Sequence, residues 1–381
     1  MGLEDGKITT LGFKLSPNWP LPLKLLQSLV LFFILGLGVS ILSMFITKDI
    51  RLQRLSGVAR SNIILPCFDE SMSLSDWIKP PSNLMHKMND SDLFWRASFS
   101  PRRNDYPFKR VPKIAFMFMT QGKLPLAPLW ENFFKGHEEH FSIYVHSLPS
   151  YVINFSSTSV FYKRQIPSQA VEWGTMNMCD AERRLLANAL LDFENEWFIL
   201  VSESCIPLHS FSDVYLYVSK SKYSFIGAFD EDSPMGRGRY DEQMLPEISL
   251  EQWRKGSQWF EVNRFLAITI VEDTKFYPKF RDFCQPACYS DEHYFPTMLT
   301  IRAPQMLANR SLTWTDWSRG GAHPATFGKN DISVEFLKMI IEDKSCLYNN
   351  QPSSLCYLFA RKFAPSSLEP LLSLSADVMG Y

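Results

Sequence analysis

The feature that most constrains this chain is an uncharged run of 23 residues, 25–47, with the sequence LLQSLVLFFILGLGVSILSMFIT. As a helix rising 1.5 Å per residue, the run would span about 34 Å, more than the roughly 30 Å of a bilayer's hydrocarbon core. The alternative is a cleaved signal peptide, but the apolar region of such a peptide normally has about 7 to 15 residues and ends in small residues. The run therefore predicts a single transmembrane signal anchor that follows a short tail, 1–24.

Two signals for the orientation of this anchor disagree. Basic residues flank the run, and more of them follow it than precede it: Lys14, Lys24, Lys48, Arg51, Arg54 and Arg60. By the positive-inside rule, this distribution places the large carboxyl-terminal part in the cytosol. The glycosylation sequons at Asn89, Asn154 and Asn309 have a use only in the lumen and favour the opposite orientation. Charge and sequons together leave the orientation open.

Composition and charge exclude several classes of protein. Apolar residues make up 46% of the chain, which argues against a disordered or collagen-like protein. The 39 basic and 40 acidic side chains give a formal net charge of −1, whereas a nucleic-acid-binding protein would usually carry a basic excess. Aromatic residues reach 14%, which suits either a large core or surfaces that stack on sugars.

The seven cysteines are spread over the chain, and only Cys284 and Cys288 lie close together in sequence. A structural zinc site usually needs two close pairs, and no second pair has matching spacing. We predict disulfide bridges and one free thiol; the alternative is a set of buried, reduced cysteines.

Residues 48–110 combine five prolines with polar residues and have no sustained periodicity, which predicts a stem. After the stem, short apolar runs alternate with stretches of helical periodicity. The predicted strands are 113–119, 141–146, 159–162, 197–201 and 223–228, and the predicted helices are 125–138, 175–193 and 211–219. This alternation predicts an α/β domain, 111–365, built on a Rossmann-type, mostly parallel sheet with helices on both faces and followed by a C-terminal tail, 366–381.

Ligands of such sheets bind beyond the carboxyl ends of the strands, so the loops after His146, Val201 and Ala228 are candidate binding loops. No GxGxxG or GxxxxGK[ST] motif opens a helix, so the dinucleotide and P-loop signatures are absent from the sequence. A membrane-anchored α/β domain rich in aromatic residues instead suggests a luminal enzyme that uses nucleotide sugars.

Two ways of binding a sugar diphosphate are open from the residues alone. Asp230, Glu231 and Asp232 offer hard oxygen ligands for a divalent cation. A metal-free enzyme would instead need cationic side chains to neutralise the departing diphosphate. The carboxyl-terminal third supplies candidates: Arg319, His323, Lys329, Arg361 and Lys362.

A general base is needed to accept a proton from the attacking hydroxyl. Glu292 lies in the segment YSDEHYF, where neighbouring aromatic residues can raise the pKa of a carboxyl towards the working range. Asp291 is an equally placed alternative.

Several segments, in the right order, resemble the core-2/I-branching β-1,6-N-acetylglucosaminyltransferases, glycosyltransferase family 14. They are YSDEHYFPTML at 289–299, FSIYVH at 141–146, QAVEWGT at 169–175, GSQWFEVNR at 256–264 and LFARKF at 358–363. GRGRY at 236–240 and the segment from WSRGG to HPATFG at 317–328 resemble the plant branch of that family.

The resemblance implies a GT-A-type, inverting, metal-independent transferase, anchored in the Golgi as a type II protein with a cytosolic tail and a luminal catalytic domain. Glu292 matches the catalytic base, and Lys362 matches a lysine that contacts the donor diphosphate. The family's partner arginine has no match at its position, and Arg319 is a proposed substitute. The donor, by implication a UDP-linked sugar such as N-acetylglucosamine, would contact His146, Ser147 and Trp173, and a glycan acceptor would contact Arg239 and Tyr240.

Ser147 stands where the family has an aspartate, and Trp173 stands where it has a tyrosine, so the donor sugar and the nucleotide stay open. Two other functions are therefore kept as alternatives. One is a non-catalytic luminal protein that binds glycans or acts as a scaffold. The other is a glycoside hydrolase that pairs Glu292 with a second carboxylate such as Asp230.

Overall fold

The structure, a computed structural model, describes residues 23–58, 79, 83–102, 105–285, 288–342 and 344–381. The chain divides into two compact units, Met1–Ser73 and Leu74–Tyr381. Within its described residues, the first unit contains helix α1, Leu23–Val58, whose side chains from 30 to 44 are exposed. No helix in the described part of the chain is both long enough and apolar enough to cross a membrane. The anchor at 25–47 is not confirmed and stays a prediction, and most of the tail predicted at 1–24 lies outside the described residues.

The second unit is built on a four-stranded sheet whose strands form where the sequence has short apolar runs. In chain order the strands are β1, Lys113–Met119; β2, Phe141–His146; β3, Asn195–Ser202; and, later in the chain, β5, Glu261–Asn263. Their order in the sheet is β2-β1-β3-β5, with β1 parallel to both β2 and β3 and with β5 antiparallel to β3. The prediction of a mostly parallel sheet in an α/β fold is confirmed.

Helices pack on both faces of this sheet. On one face, Phe116 of β1 contacts the rings of Trp130 and Phe134 in helix α3, Ala127–Phe134. On the other face, the Tyr144 hydroxyl accepts a hydrogen bond from Asn195, whose amide also donates to a carbonyl of helix α4, Met176–Leu190. Because alternate residues of a strand point to opposite faces, the buried aromatic and aliphatic side chains fill two layers of core.

The second unit also contains a smaller sheet, a hairpin and further helices. The other strands are β4, Ile206–Pro207; β6, Thr313–Thr315; β7, Cys346–Tyr348; β8, Gln351–Ser353; and β9, Phe359–Arg361. A second sheet has the order β4-β9-β6, and β7 and β8 form a hairpin. The other helices are α2, Asp90–Ser98; α5, Phe211–Lys220; α6, Arg264–Val271; α7, Tyr277–Phe283; α8, Ser290–Arg302; α9, Val334–Ile341; and α10, Leu368–Leu374. Short 3-10 helices lie at Arg237–Arg239, Glu242–Met244, Leu250–Gln252, Pro304–Met306, Lys329–Asp331 and Pro365–Ser367, and a π-helical turn at Ser375–Met379.

Two predicted strands are not strands in the structure. Residues 159–162 form turns, because the Ser159 hydroxyl accepts a hydrogen bond from the Phe161 amide and its carbonyl accepts one from Tyr162, which draws the backbone away from a ladder. Residues 223–228 pair only through single bridges, from Ser224 to Leu307 and from Phe225 to Glu261.

The second unit includes segments on both sides of the predicted domain 111–365. Helix α2 lies in the predicted stem, buries Leu93 and Ala97, and is tied to α4 by a bidentate ion pair between Arg184 and Asp90. In the predicted C-terminal tail, Leu371 is fully buried, and the Tyr381 hydroxyl donates to the Pro207 carbonyl.

Disulfides join Cys284 to Cys288 and Cys346 to Cys356. Cys179 and Cys205 are free and buried, and Cys67 lies outside the described residues. The prediction of bridges is confirmed, and the described residues contain two free thiols where one was expected.

Candidate active site

A cavity of about 630 Å³ opens at the carboxyl ends of the three parallel strands. The strand register aligns Met119, the last residue of β1, with His146 of β2 and with Ser202 of β3. All three residues line the cavity. This is the edge at which open α/β sheets bind their ligands, and the candidate binding loops after His146 and Val201 meet there.

His146 and Ser147, the two predicted donor-binding residues after β2, line this cavity and are buried. Burial lowers the pKa of His146 to about 4, and the nearby Arg184 acts in the same direction, so the imidazole is neutral at pH 7. Its Nε2 accepts a hydrogen bond from the Gln169 amide at 3.4 Å. The Ser147 hydroxyl accepts one from the Gln165 side chain at 2.7 Å, which orients it at the cavity wall.

Glu292 lies in the first turn of α8 and lines the first cavity. Its Oε2 accepts a hydrogen bond from Arg239 Nη1 at 2.7 Å. The Arg239 guanidinium also lies 4.3 Å from the centre of the Tyr289 ring, which holds it in place. Two residues 53 positions apart in sequence thus form one ion pair.

A second cavity, of about 1020 Å³, adjoins the first. Both are lined by Trp173, Lys255, Glu292, Trp317 and Ala322. The second is also lined by Arg239 and Tyr240, the two predicted acceptor-binding residues, and the Tyr240 hydroxyl donates to the Ile248 carbonyl at 2.8 Å. Glu292 therefore lies at the boundary between a cavity at the strand ends and a cavity beside Arg239.

Aromatic side chains surround this boundary. The Trp173 ring lies 4.9 Å from the ring of Tyr289 and 4.9 Å from that of His323. Trp173 and Trp317 are each about half exposed, so their faces are open to a ligand. Exposed aromatic faces suit the apolar faces of sugar rings.

The predicted phosphate-binding cations differ in position. Lys362 lines the first cavity, and so does Arg361, the residue before it. Arg319 is exposed, lies 5.9 Å from the centre of the Phe327 ring, and does not line either cavity. Its proposed contact with a donor stays a prediction.

Two buried carboxyl groups lie at or next to the lining of the first cavity. Asp291 lines it, and Glu182 of α4 accepts a hydrogen bond at 2.9 Å from Gln258, which also lines it. Burial raises the pKa of Asp291 to about 7 and that of Glu182 well above its usual range. Glu182 was missed from sequence, because a single glutamate within an amphipathic helix gives no signal of burial.

The acidic run at 230–232 does not form a ligand cluster. Arg237 makes two hydrogen bonds of 2.7 Å to Asp230, whose side chain is outside both cavities. Among the described residues, no group of three or more His, Cys, Asp or Glu side chains is arranged to hold a metal ion. The prediction that no metal is needed stays a prediction.

The asparagines of the three sequons differ in their hydrogen bonds. Asn154 is exposed, and Asn89 is exposed while its Oδ1 caps α2 by accepting a hydrogen bond from Asp92. The Asn309 Oδ1 accepts a hydrogen bond of 2.6 Å from the Ala228 amide. Glycosylation at all three positions stays a prediction.

Comparisons with known proteins identify the family of this chain. The family model of the Core-2/I-Branching enzyme matches residues 114–341, a range that includes His146, Arg239 and Glu292. Glycosyltransferase BC10 of Oryza sativa subsp. japonica is 36% identical to this chain over 309 residues, which are 69% of this chain and 76% of the rice protein. The family predicted from the sequence motifs is confirmed. The chain belongs to the core-2/I-branching enzyme family of glycosyltransferases.

Proposed function

We propose that the protein transfers a sugar from a nucleotide sugar to a hydroxyl of a glycan, with inversion at the anomeric carbon and without a metal ion. The donor is a UDP-linked sugar, with N-acetylglucosamine as the first candidate. The proposal rests on membership of a glycosyltransferase family and on one observation, the position of Glu292 at the boundary of two adjoining cavities.

This position suits a general base in a single displacement. A donor in the first cavity and an acceptor in the second would meet at Glu292. Its carboxylate takes the proton from the acceptor hydroxyl while that oxygen bonds to the anomeric carbon from the face opposite the nucleotide. The bond from the anomeric carbon to the diphosphate oxygen breaks, and its electron pair leaves with the diphosphate.

On the donor side, the cavity offers both polar and aromatic groups. Neutral His146 and the oriented Ser147 hydroxyl can hydrogen-bond a nucleotide or sugar, and Trp173 can stack on either. Lys362 supplies a positive charge for the diphosphate within the same cavity. Trp173 also borders the second cavity, so the same ring can contact both substrates.

We also propose the cellular setting that the sequence predicts: a Golgi membrane protein of type II, held by an anchor at 25–47 with the second unit in the lumen. Luminal exposure predicts N-glycosylation at the exposed Asn154. Enzymatic removal of N-glycans from the full-length protein should increase its mobility on a gel. An Asn154→Gln variant should lose part of that shift, and an unchanged shift would contradict modification at this residue.

The proposed activity is tested by incubating the purified full-length protein with a panel of nucleotide sugars and glycan acceptors and measuring the nucleoside diphosphate released. Acceptor-dependent release would support transfer and identify the donor. Release without transfer to an acceptor would support hydrolysis, and binding of glycans with no release would support a scaffold. The anomeric configuration of the product, measured by NMR spectroscopy, tests inversion.

A further inference from the structure

A disulfide lies in the wall of the second cavity, directly before the helix that carries Glu292. It joins Cys284, which follows the last residue of α7, to Cys288, which lies two residues before the start of α8. Both cysteines are buried, and Cys288 lines the second cavity. The bond therefore ties the end of one helix to the start of the next at the cavity wall.

Tyr289, the residue after this disulfide, has an unusual backbone conformation. Its φ is 58°, in the left-handed region that bulky side chains rarely adopt. Such a conformation is costly and persists only where the surrounding structure imposes it. The covalent bond at Cys288 restricts the backbone on one side, and on the other side the Tyr289 carbonyl accepts a hydrogen bond of 2.9 Å from the Glu292 amide. These constraints hold Tyr289 in place at the start of α8.

The Tyr289 ring contacts groups from distant parts of the chain. The Arg239 guanidinium carbon lies 4.3 Å from the centre of this ring, and the Trp173 ring lies 4.9 Å from it. The ring also packs closely on Gly174, where a Cβ would lie 3.1 Å from Tyr289 Cε1. Tyr289, Arg239 and Trp173 all line the second cavity. The position of the Tyr289 ring therefore shapes the cavity wall next to Glu292.

These contacts form a path from the disulfide to the Glu292 carboxylate. The disulfide restrains Tyr289, the Tyr289 ring packs against Arg239, and Arg239 Nη1 donates a hydrogen bond of 2.7 Å to Glu292 Oε2. Without the disulfide, the backbone before Tyr289 would be free, and its φ would relax towards a more favourable region. The ring would then no longer support Arg239, and the Glu292 carboxylate would lose its fixed orientation.

We propose that the Cys284–Cys288 disulfide positions the catalytic base: it keeps Tyr289, and through Tyr289 also Arg239, in the arrangement that orients the Glu292 carboxylate. The inference rests on the proposed transferase function and adds to it a covalent support for the base. The two cysteines are positioning residues, because they act through Tyr289 rather than by bonding a substrate.

The test compares two full-length variants that each lose one disulfide. Cys284→Ser/Cys288→Ser removes the bridge in the cavity wall, and Cys346→Ser/Cys356→Ser removes the bridge that lines neither cavity. We expect the first variant to lower kcat for transfer by about 10-fold, because a slightly misplaced catalytic group loses much of its effect. Its affinity for UDP, measured by calorimetry, should stay within about 2-fold of the wild type, and the control should stay within about 2-fold in both quantities. Unchanged kcat, or an equal loss in both variants, would overturn the inference.

A second comparison separates positioning from a general loss of stability. If the bridge acts through Arg239, removing it from the Arg239→Lys variant should lower kcat further by less than about 3-fold, because that variant has already lost the packing on Tyr289. A bridge that only stabilises the fold would lower kcat by the same factor in both backgrounds. That result would also overturn the inference.

Chemical reduction covers the case in which the serine variant does not fold. In the Cys346→Ser/Cys356→Ser background, dithiothreitol reduces the Cys284–Cys288 bond to two thiols and is itself oxidised to a cyclic disulfide. Mass spectrometry of an alkylated aliquot confirms that both thiols have formed. We expect kcat to fall on reduction and to recover on reoxidation, and full activity of the reduced protein would overturn the inference.

A third readout does not depend on activity. Hydrogen exchange in the segment 289–295, which includes the Glu292 amide bonded to the Tyr289 carbonyl, should be faster without the Cys284–Cys288 bridge and unchanged in the control. A wild-type protein that transfers no sugar would refute the proposed function, and the exchange rates would still decide whether the bridge restrains the start of α8. Equal exchange in all three proteins would overturn this inference alone.

Discussion

Glu292 Oε2 accepts a hydrogen bond from Arg239 Nη1 at 2.7 Å, and the arginine that makes it packs against the ring of Tyr289. The pair is partly buried, with 27% of the Glu292 side chain and 12% of the Arg239 side chain exposed. Arg239 therefore restricts the rotation of the carboxylate that borders both cavities. Oε2 makes this bond, and under the proposed function the other oxygen, Oε1, would take the proton of the acceptor hydroxyl.

Replacing Glu292 by glutamine should abolish transfer while leaving UDP binding nearly unchanged, because the variant keeps the shape of the side chain and removes the base. The expected loss of kcat is about 100- to 10,000-fold, the range for general-base catalysis. Turnover numbers and calorimetric UDP affinities check this. Glu251→Gln, an exposed site outside both cavities, is the control, and normal turnover in Glu292→Gln would disprove the assignment.

Arg239→Lys should lower kcat by about 10-fold and leave the affinity for UDP unchanged, because lysine keeps the charge without the planar group that packs on Tyr289 and fixes the carboxylate. Steady-state kinetics with both substrates measures this. Arg237→Lys is a matched control in the same 3-10 helix, where the arginine pairs with Asp230 outside both cavities. Equal effects of the two substitutions would contradict a specific role of Arg239.

The sequence predicted the three parallel strands well, because buried strands are short apolar runs with clear ends. It also named Glu292 and Arg239 as candidate site residues, each within its own motif, and their roles stay predictions. Their pairing could not be predicted, because it depends on how residues 237–239 and the start of α8 meet in space. The same limit applies to Arg361, whose sequence neighbours do not indicate that Trp259 packs against it.

The segment 223–228, which was predicted to be a strand, shows a second limit of prediction from the sequence. Apolar composition predicts burial, and Phe225 and Ile226 are buried as expected. Whether a buried extended segment joins a ladder depends on its neighbours, and here only single bridges form, to Leu307 and Glu261. Burial was therefore easier to predict from these residues than pairing.

Chelation should leave activity intact if cationic side chains bind the diphosphate. We expect transfer in excess EDTA to stay within about 2-fold of the rate in Mn²⁺, since preorganised charges can replace a metal in stabilising the leaving group. Initial rates across an EDTA and Mn²⁺ titration measure this. Strong inhibition that Mn²⁺ reverses, together with a similar loss in Asp230→Asn, would instead indicate a metal site at the acidic run.

Gly256 should not tolerate a side chain. A Cβ there would lie 1.9 Å from the Gly227 carbonyl oxygen, and the Gly256 amide donates to the Glu292 carbonyl at 2.8 Å. Gly256→Ala should therefore reduce the free energy of unfolding by about 1 to 3 kcal/mol and also lower kcat, because the backbone at Glu292 must shift. Denaturant unfolding and kinetics test both effects. Gly122→Ala, where the nearest atom is 3.7 Å away, should change neither, and normal behaviour of Gly256→Ala would contradict the close approach.

Asp291 should make stability depend on pH in a defined direction. Burial raises its pKa to about 7, above the value near 3.9 expected in the unfolded chain. The folded state therefore binds more protons between these values, so the contribution of Asp291 to the free energy of unfolding is complete below about pH 4 and is lost as pH rises to about 7. Each unit of pKa difference corresponds to about 1.4 kcal/mol.

Asp291→Asn removes this titration, so the variant should gain stability relative to the wild type as pH rises from about 5 to 8. Urea unfolding at several pH values measures the difference. Glu182 and Glu261 are also buried with raised pKa values, so the pH dependence of the wild-type free energy of unfolding combines several groups. The difference in this free energy between variant and wild type isolates Asp291 and its coupling to the other two. Asp232→Asn, at an exposed position, is the control. If the stability difference between Asp291→Asn and the wild type is constant from about pH 5 to 8, Asp291 does not hold a proton in the folded protein over that range.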